Sequence, residues 1–182
     1  MIGKLTGIVG PMFSGKSTKL IEIYDNKIDK ENCLIFKPEI DIRYGIDKIC
    51  THDNIHRGAL PIESSQSLKL IDYTIIKNVF IDEVHFFDSN IVFVIDDLIQ
   101  LGINVYFAGI NIDVHGHPMG FKGYNSQGFH MGELLIKCDQ IYLLTALCES
   151  CGKTATRTVR IDNSGSFVGG KEKYQPRCRE HL

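Results

Sequence analysis

Gly10, Pro11, Met12, Phe13, Ser14, Gly15, Lys16 and Ser17 spell the spacing G-x-x-x-x-G-K-S, with Thr18 directly after it. Glycines at the two ends of such a loop let the backbone wrap until its N–H groups point inward at phosphate oxygens. The N-terminus of the helix that follows adds unpaired donors and partial positive charge. Lys16 brings a movable cation for the β- and γ-phosphates, and the Ser17 hydroxyl can ligate Mg²⁺. The alternative is a chance match in a loop. Context argues against it: an apolar, strand-like run over 4–9 precedes the glycines and a helix-like stretch begins at Lys16. These residues read as a nucleoside triphosphate site.

A second signal lies 66 residues after Lys16, where the apolar run Val79-Phe80-Ile81 ends in Asp82 and Glu83. An aspartate at such a strand end reaches the Mg²⁺ shell in nucleotide-binding proteins of this type. The competing reading is an acidic turn that caps the next helix. Adjacent strand residues point to opposite faces. The pleat therefore predicts that Asp82 serves the metal while Glu83 faces an acceptor, taking a proton from an attacking hydroxyl or water.

Cys148-x-x-Cys151 and Cys178-x-x-His181 stand 26 residues apart, the arrangement that closes a tetrahedral zinc site with three thiolates and one imidazole. Four protein ligands leave no open position, so the expected Zn²⁺ is structural. Unrelated residues, or a redox pair at Cys148 and Cys151, are the alternatives. Cys33, Cys50 and Cys138 lie in or near apolar runs and read as buried thiols.

The elements that must position these groups follow from the periodicity. Strands are predicted over 4–9, 33–37, 78–82, 104–108 and 140–147, and helices over 16–26, 89–100 and 132–138. Leu20, Ile21 and Ile23 of the first helix are placed to face the sheet, and Asp88/Ser89 to cap the second. This alternation predicts an α/β fold: a parallel sheet flanked by helices, like that of P-loop NTPases. A nucleotide-binding core is expected over 1–147, with a small zinc-binding subdomain over 148–182. Two polar or glycine-rich stretches, 39–65 and 111–129, resist the pattern and read as functional loops.

The bulk composition limits the partners. With 182 residues, 43% hydrophobic and 23% charged, the chain is an ordinary globular protein. A net charge of −2 and a pI near 6.4 provide no basic field for nucleic acid or anionic membrane. No signal-peptide pattern opens the sequence and no apolar run approaches the ~20 residues of a membrane span. The expected setting is the cytoplasm, where thiols stay reduced.

An ordered set of segments resembles the type II, zinc-containing thymidine kinases along nearly the whole chain. They are G-P-M-F-S-G-K-S-T from Gly10, K-P-E-I-D-x-R-Y from Lys37 and T-H-D from Thr51. I-D-E-V-H-F-F from Ile81, A-G-I-N-x-D from Ala108, L-T-A-L-C from Leu144 and G-G-K-E-K-Y from Gly169 follow in the same order. The resemblance implies transfer of the ATP γ-phosphate to the 5′-hydroxyl of thymidine, with deoxyuridine as another acceptor. It implies Glu83 as base, Lys16 and Arg43 as catalytic cations, Asp82 and Ser17 as Mg²⁺ partners, and Asp41 beside Arg43. It also implies a loop over about 110–123 that closes like a lasso on the base, bringing Met119 and Phe121. Met12, Phe86, Thr145, Val168, Gly169 and Tyr174 would complete the thymidine pocket. A homotetramer and feedback inhibition by the triphosphate of thymidine are further implications.

This chain departs from the family pattern at His85, which stands where glutamine is usual, and in the loop. There Asp113-Val114-His115-Gly116-His117-Pro118-Met119 replaces D-F-R-G-x-P-F. Two other readings compete with a kinase: a nucleic-acid-gripping ATPase and a non-catalytic nucleotide sensor. The −2 charge opposes the first, and Glu83 beside Asp82 opposes the second.

Overall fold

The computed structural model describes residues 1–51, 54–122, 128–162 and 168–182. In chain order the elements are β1 (Leu5–Val9), α1 (Lys16–Asp25), β2 (Cys33–Pro38), β3 (Lys48–Cys50), β4 (His56–Gly58), β5 (Leu60–Ile62), α2 (Ser65–Leu68) and β6 (Asn78–Ile81). They continue as α3 (Ile91–Gln100), β7 (Asn104–Gly109), α4 (Met131–Leu135), β8 (Gln140–Leu143), β9 (Ala146–Leu147), β10 (Thr154–Ala155), β11 (Arg157–Arg160) and β12 (Tyr174–Arg177). Six strands form one sheet in the order β5-β2-β6-β7-β1-β8, with every pairing parallel.

Both faces of this sheet are covered, which is why its central strands are apolar throughout. Side chains alternate between the faces with the period of two that a pleat dictates. Leu5, Val9, Phe36, Val79, Ile81, Val105 and Phe107 pack with α3 and with Met131 and Leu134 of α4. Ile8, Ile35, Phe80 and Ala108 point the other way and pack against Leu20 and Ile21 of α1, with Ile23 partly buried beside them. Helix α3 buries Ile91, Val92, Val94, Ile95 and Leu98, one stripe at helical spacing. It ends where Gly102 adopts φ +84 and Gly102 and Ile103 donate back to the Ile99 and Leu98 carbonyls. A side chain there would be strained in that left-handed conformation.

Several expected boundaries move. The predicted strand over 140–147 splits, because its last two residues form β9 and pair with β10 instead of continuing the sheet. The stretch over 39–65 contains the β3–β4 hairpin and the edge strand β5. Asp88 accepts from the Ser65 amide and hydroxyl and from the Asn90 amide, tying α2 to the start of α3. The segment after β7 is an ordered reverse turn around Gly116. The Asp113 and Met119 amides donate across it to His117 and Asn111, and Asp113 Oδ1 accepts from His115 and His117.

At the C-terminal end, β9 pairs with β10 and β11 with β12, both antiparallel. His52, Asp53 and Gly123, which belong to expected motif segments, lie outside the described residues. No helix among the described residues is long and apolar enough to cross a membrane.

Candidate active site

Loop 10–17 links the C-terminal edge of β1 to the first turn of α1, as glycine spacing demands. Gly15 takes φ +82, and a Cβ on Gly10 would lie 2.4 Å from the Leu144 carbonyl oxygen. Phe13 is also left-handed, at φ 64, which a non-glycine residue adopts only when its surroundings enforce it. The Lys16 ammonium folds back onto the Pro11 carbonyl at 2.7 Å, and the Ser14 hydroxyl donates to the same oxygen at 2.8 Å. Burial pulls the Lys16 pKa down, with Glu83 and Asp82 opposing that pull.

Strand β6 ends one residue earlier than expected, so the pleat is not what separates the two carboxylates. Asp82 lies just beyond the strand, and Glu83 adopts φ 49 and ψ 43 at the head of a single 3-10 turn, Val84–Phe86. A left-handed glutamate is strained. The Glu83 amide donates to Asp82 Oδ1 at 3.1 Å, while its carboxylate meets Arg43. Asp82 receives the Ser17 hydroxyl at 2.9 and 3.1 Å. Burial, with Glu83 adjoining, pushes Asp82 up to about 7. Burial would also raise Glu83, but Arg43, His85 and Lys16 outweigh it and hold Glu83 at about 2.

Arg43 comes from the segment after β2. Its guanidinium donates to Asp41 through Nε at 2.6 Å and through Nη2 at 3.0 Å, and the same Nη2 also donates to Glu83 Oε1. Burial works against its charge, yet Glu83 and Asp41 keep it firmly protonated. The second Glu83 oxygen, Oε2, is buried and has no hydrogen-bond partner among the described residues. Such an orphan is costly unless something else completes it.

Two clefts meet at this point. The charged cleft is lined by Phe13, Gly15, Lys16, Ser17, Thr18, Lys37, Asp41, Asp82 and Gly170, among others. The apolar cleft is lined by Phe86, Ile110, Ile112, Val114, Met119, Gly169 and Tyr174, with Asp113, Thr158, Arg160 and His85 as polar members. Met12, Arg43 and Glu83 line both.

Other expected site residues sit elsewhere. Asp41 belongs to the charged cleft, Phe121 is buried in the core at 3% exposure, and Thr145 is exposed outside both clefts. Val168 lines neither; its carbonyl accepts from the Lys173 ammonium at 3.0 Å. Gly10, Pro11 and Ser14 shape the glycine loop from behind its lining surface.

Three participants were not assigned from sequence. Lys37 is buried in β2, its position in an apolar run being the one signal available. His85 lines the apolar cleft with Nδ1 3.6 Å from Glu83 Oε2; burial pushes it down to about 4, so the ring is neutral. Thr158 accepts the Met12 amide at 2.9 Å across 146 residues, a contact no local pattern could reveal.

The cysteine knuckles converge. Ligand atoms of Cys148, Cys151, Cys178 and His181 all lie within 4.8 Å of one another. The Cys151 and Cys178 sulfurs are 3.7 Å apart, and His181 Nδ1 is 3.2 Å from Cys178 Sγ and 3.9 Å from Cys148 Sγ. Zinc–sulfur bonds of about 2.3 Å in a tetrahedron separate sulfurs by about 3.8 Å, whereas a disulfide needs about 2.05 Å. Against the upward push of burial, the amides of Cys178, Ser150 and Cys151 hold the Cys148 thiol at about 6, which favours the thiolate a metal needs. The group fits Zn²⁺. Ser17 and Asp82 are a hydroxyl and a buried carboxylate that forms no salt bridge among the described residues, a hard oxygen set that fits Mg²⁺.

Comparison with known proteins adds the family. Residues 3–182 match the model of the thymidine kinase family. A thymidine kinase of Pseudothermotoga lettingae is 36% identical over 99% of this chain and 95% of its own length. Another, from Thermococcus kodakarensis, is 35% identical over 98% of this chain and 93% of its own. With a match that runs from the first strand to the last zinc-knuckle residue, this chain belongs to the thymidine kinase family.

Proposed function

We propose that this chain transfers the γ-phosphate of ATP to the 5′-hydroxyl of thymidine, forming thymidine 5′-monophosphate for nucleotide salvage, with deoxyuridine as a second acceptor. The observation that carries the reading is Glu83 Oε2, a buried, unpartnered carboxylate oxygen on the wall shared by the charged and apolar clefts. A nucleoside seated in the apolar cleft would donate its 5′-hydroxyl to Oε2 while Oε1 stays on Arg43. The hydroxyl oxygen then bonds to the γ-phosphorus, the bond to the ADP oxygen breaks, and the proton goes to Glu83. Little covalent help is needed, since such transfers run on positioning and electrostatics.

The remaining roles follow from the same arrangement. Lys16 leaves the Pro11 carbonyl for the phosphates, and the loop N–H groups from Phe13 to Thr18 cradle them. Arg43, kept charged by Asp41 and Glu83, stabilises the transferring group. Ser17 and Asp82 would hold Mg²⁺, which supplies neutralising charge at the phosphates. Met12, Phe86, Met119, Gly169 and Tyr174 would enclose the base and sugar. The turn within 110–123 would close over the base, with Phe121 as its anchor in the core. Thr145 and Val168 would reach thymidine only if their segments shift on binding. Cys148, Cys151, Cys178 and His181 would hold a structural Zn²⁺ that fixes a subdomain over 148–182 beside the core over 1–147; β9–β12 pairing among themselves supports the division.

Because the clefts share a wall, the triphosphate of thymidine could fill both at once, which supports feedback inhibition. Exposed Ile141 and Leu143 on the edge strand β8 support a homotetramer. A cytoplasmic setting suits an ATP-consuming enzyme with reduced thiols. Nucleic acid and membrane are not expected partners at a net charge of −2.

The test is ADP release by the purified protein with ATP, Mg²⁺ and a panel of nucleosides, single-stranded DNA included. Release that requires thymidine, with the monophosphate as product, is expected. Release indifferent to nucleosides and stimulated by DNA would favour the ATPase instead.

A further inference from the structure

Lys37 stands in the apolar strand β2 with its side chain only 2% exposed. Burying an ammonium is costly unless it is paired and hydrogen-bonded. Its Nζ donates to the Gly45 carbonyl at 2.8 Å and the Lys48 carbonyl at 3.1 Å, and lies 4.0 Å from Asp41 Oδ2. All three partners belong to one segment, 41–48, which leaves the end of β2 and returns as β3. Arg43 lies within that segment. Its Nε and Nη2 donate to Asp41, and the same Nη2 bridges on to Glu83. Charge therefore alternates along a partly buried line: Lys37, Asp41, Arg43, Glu83.

We infer that Lys37 is a positioning residue for phosphoryl transfer: it ties segment 41–48 to the central sheet and so fixes Arg43 where it can serve both Glu83 and the transferring phosphoryl group. The inference rests on the kinase reading of the site. A neutral amide could satisfy two carbonyls. Only a cation also attracts the Asp41 carboxylate, and that attraction resists a swing of Asp41 and Arg43 towards solvent. Because β2 is flanked by β5 and β6 in the sheet, the anchor itself is rigid. Displacing a catalytic group by about 1 Å can cost on the order of 10²-fold in rate.

The experiment is a double-mutant cycle on the full chain with ATP, Mg²⁺ and thymidine, each variant first checked for a cooperative melt. Lys37→Met, nearly isosteric, should lower kcat by on the order of 10²-fold while the KM values for ATP and thymidine stay within about threefold. In an Arg43→Ala background the same change should cost less than about threefold, because its effect passes through Arg43. Lys37→Gln, which keeps amide donors, should recover roughly a tenth of the wild-type kcat. A Lys37→Met kcat near wild type, or an equal loss in both backgrounds, overturns the inference. If Lys37→Met fails to fold, Lys37→Gln decides: full kcat overturns the inference and the partial loss sustains it. A wild-type protein without thymidine-dependent transfer would instead sink the kinase reading beneath it.

Discussion

The charged cleft and the apolar cleft share Met12, Arg43 and Glu83, yet only the first is built around a single local loop. The charged wall is built around one local loop, 12–18, and is completed by the segment over 37–51, by Asp82 and Glu83 after β6, and by Gly170. Its polar groups are paired in advance: Lys16 on Pro11, Ser17 on Asp82, Arg43 on Asp41 and Glu83. The apolar wall draws on six separated stretches, from Met12 to Tyr174, most of them in turns or in the C-terminal hairpin. A phosphate looks the same on every nucleotide, so a fixed local loop can hold it. A base and sugar need shape, and shape must be gathered from across the fold.

If that contrast is right, damage on the charged side should strike turnover and damage on the apolar side should strike nucleoside affinity. The largest effect is expected from Lys16→Ala. Loss of its cation should reduce kcat on the order of 10³-fold or more, with thymidine binding by calorimetry nearly unchanged. Near-normal turnover would remove Lys16 from the phosphate site.

Cys148→Ser should come next, and on the apolar side. Strand β12 carries Tyr174 at one end and leads directly into Cys178, so losing metal should loosen the apolar wall. Elemental analysis should show lost zinc, and the thymidine KM should rise at least about tenfold, with a smaller change in the KM for ATP. Equal changes for both substrates would blur the contrast between the clefts.

A smaller, pH-dependent effect is expected at Asp82 when no Mg²⁺ or nucleotide is present. Its folded pKa of about 7 lies above the ordinary value of 3.8, so the folded chain holds that proton more tightly. Its contribution to stability is therefore full below about pH 4 and is lost as pH rises towards 7. The unfolding free energy of wild type minus that of Asp82→Asn should fall by on the order of 2–4 kcal/mol across that window. His85 acts in the opposite sense over part of this range, since its pKa is depressed to about 4, but it is common to both chains and cancels. A flat difference would mean that Asp82 is not strained by burial and Glu83.

The smallest effect belongs to Phe86→Ala. Phe86 contributes one face of the apolar cleft, so the thymidine KM should rise by about tenfold, roughly 1.4 kcal/mol, with kcat little altered. A drop in kcat with unchanged KM would contradict a binding role.

The same contrast explains what the sequence makes legible. The parallel sheet and the glycine-rich loop follow from local patterns: apolar runs with covered faces, glycines at fixed spacing, a lysine and a serine at a helix start. The cysteine knuckles are legible for the same reason, because metal geometry restricts spacing. Residue type and position single out Glu83 beside Asp82, but the pleat does not place it; a left-handed turn after β6 does. The β3–β4 hairpin escaped notice because its three-residue strands are too short for periodicity to speak. Thr158 and Lys37 act on partners placed by the tertiary fold, and the apolar cleft is named from family likeness because no residue type or spacing in its segments by itself signals a nucleoside.

The account turns on the wall the two clefts share, and so on Glu83. Glu83→Gln keeps the shape and most hydrogen bonding of the side chain but removes the carboxylate that would take the 5′-hydroxyl proton. Single-turnover transfer from ATP to thymidine should slow by ~10²–10⁴-fold, while thymidine affinity changes by less than about threefold. A Glu83→Gln enzyme that transfers within threefold of the wild-type rate would contradict the account and leave Glu83 as a structural partner of Arg43.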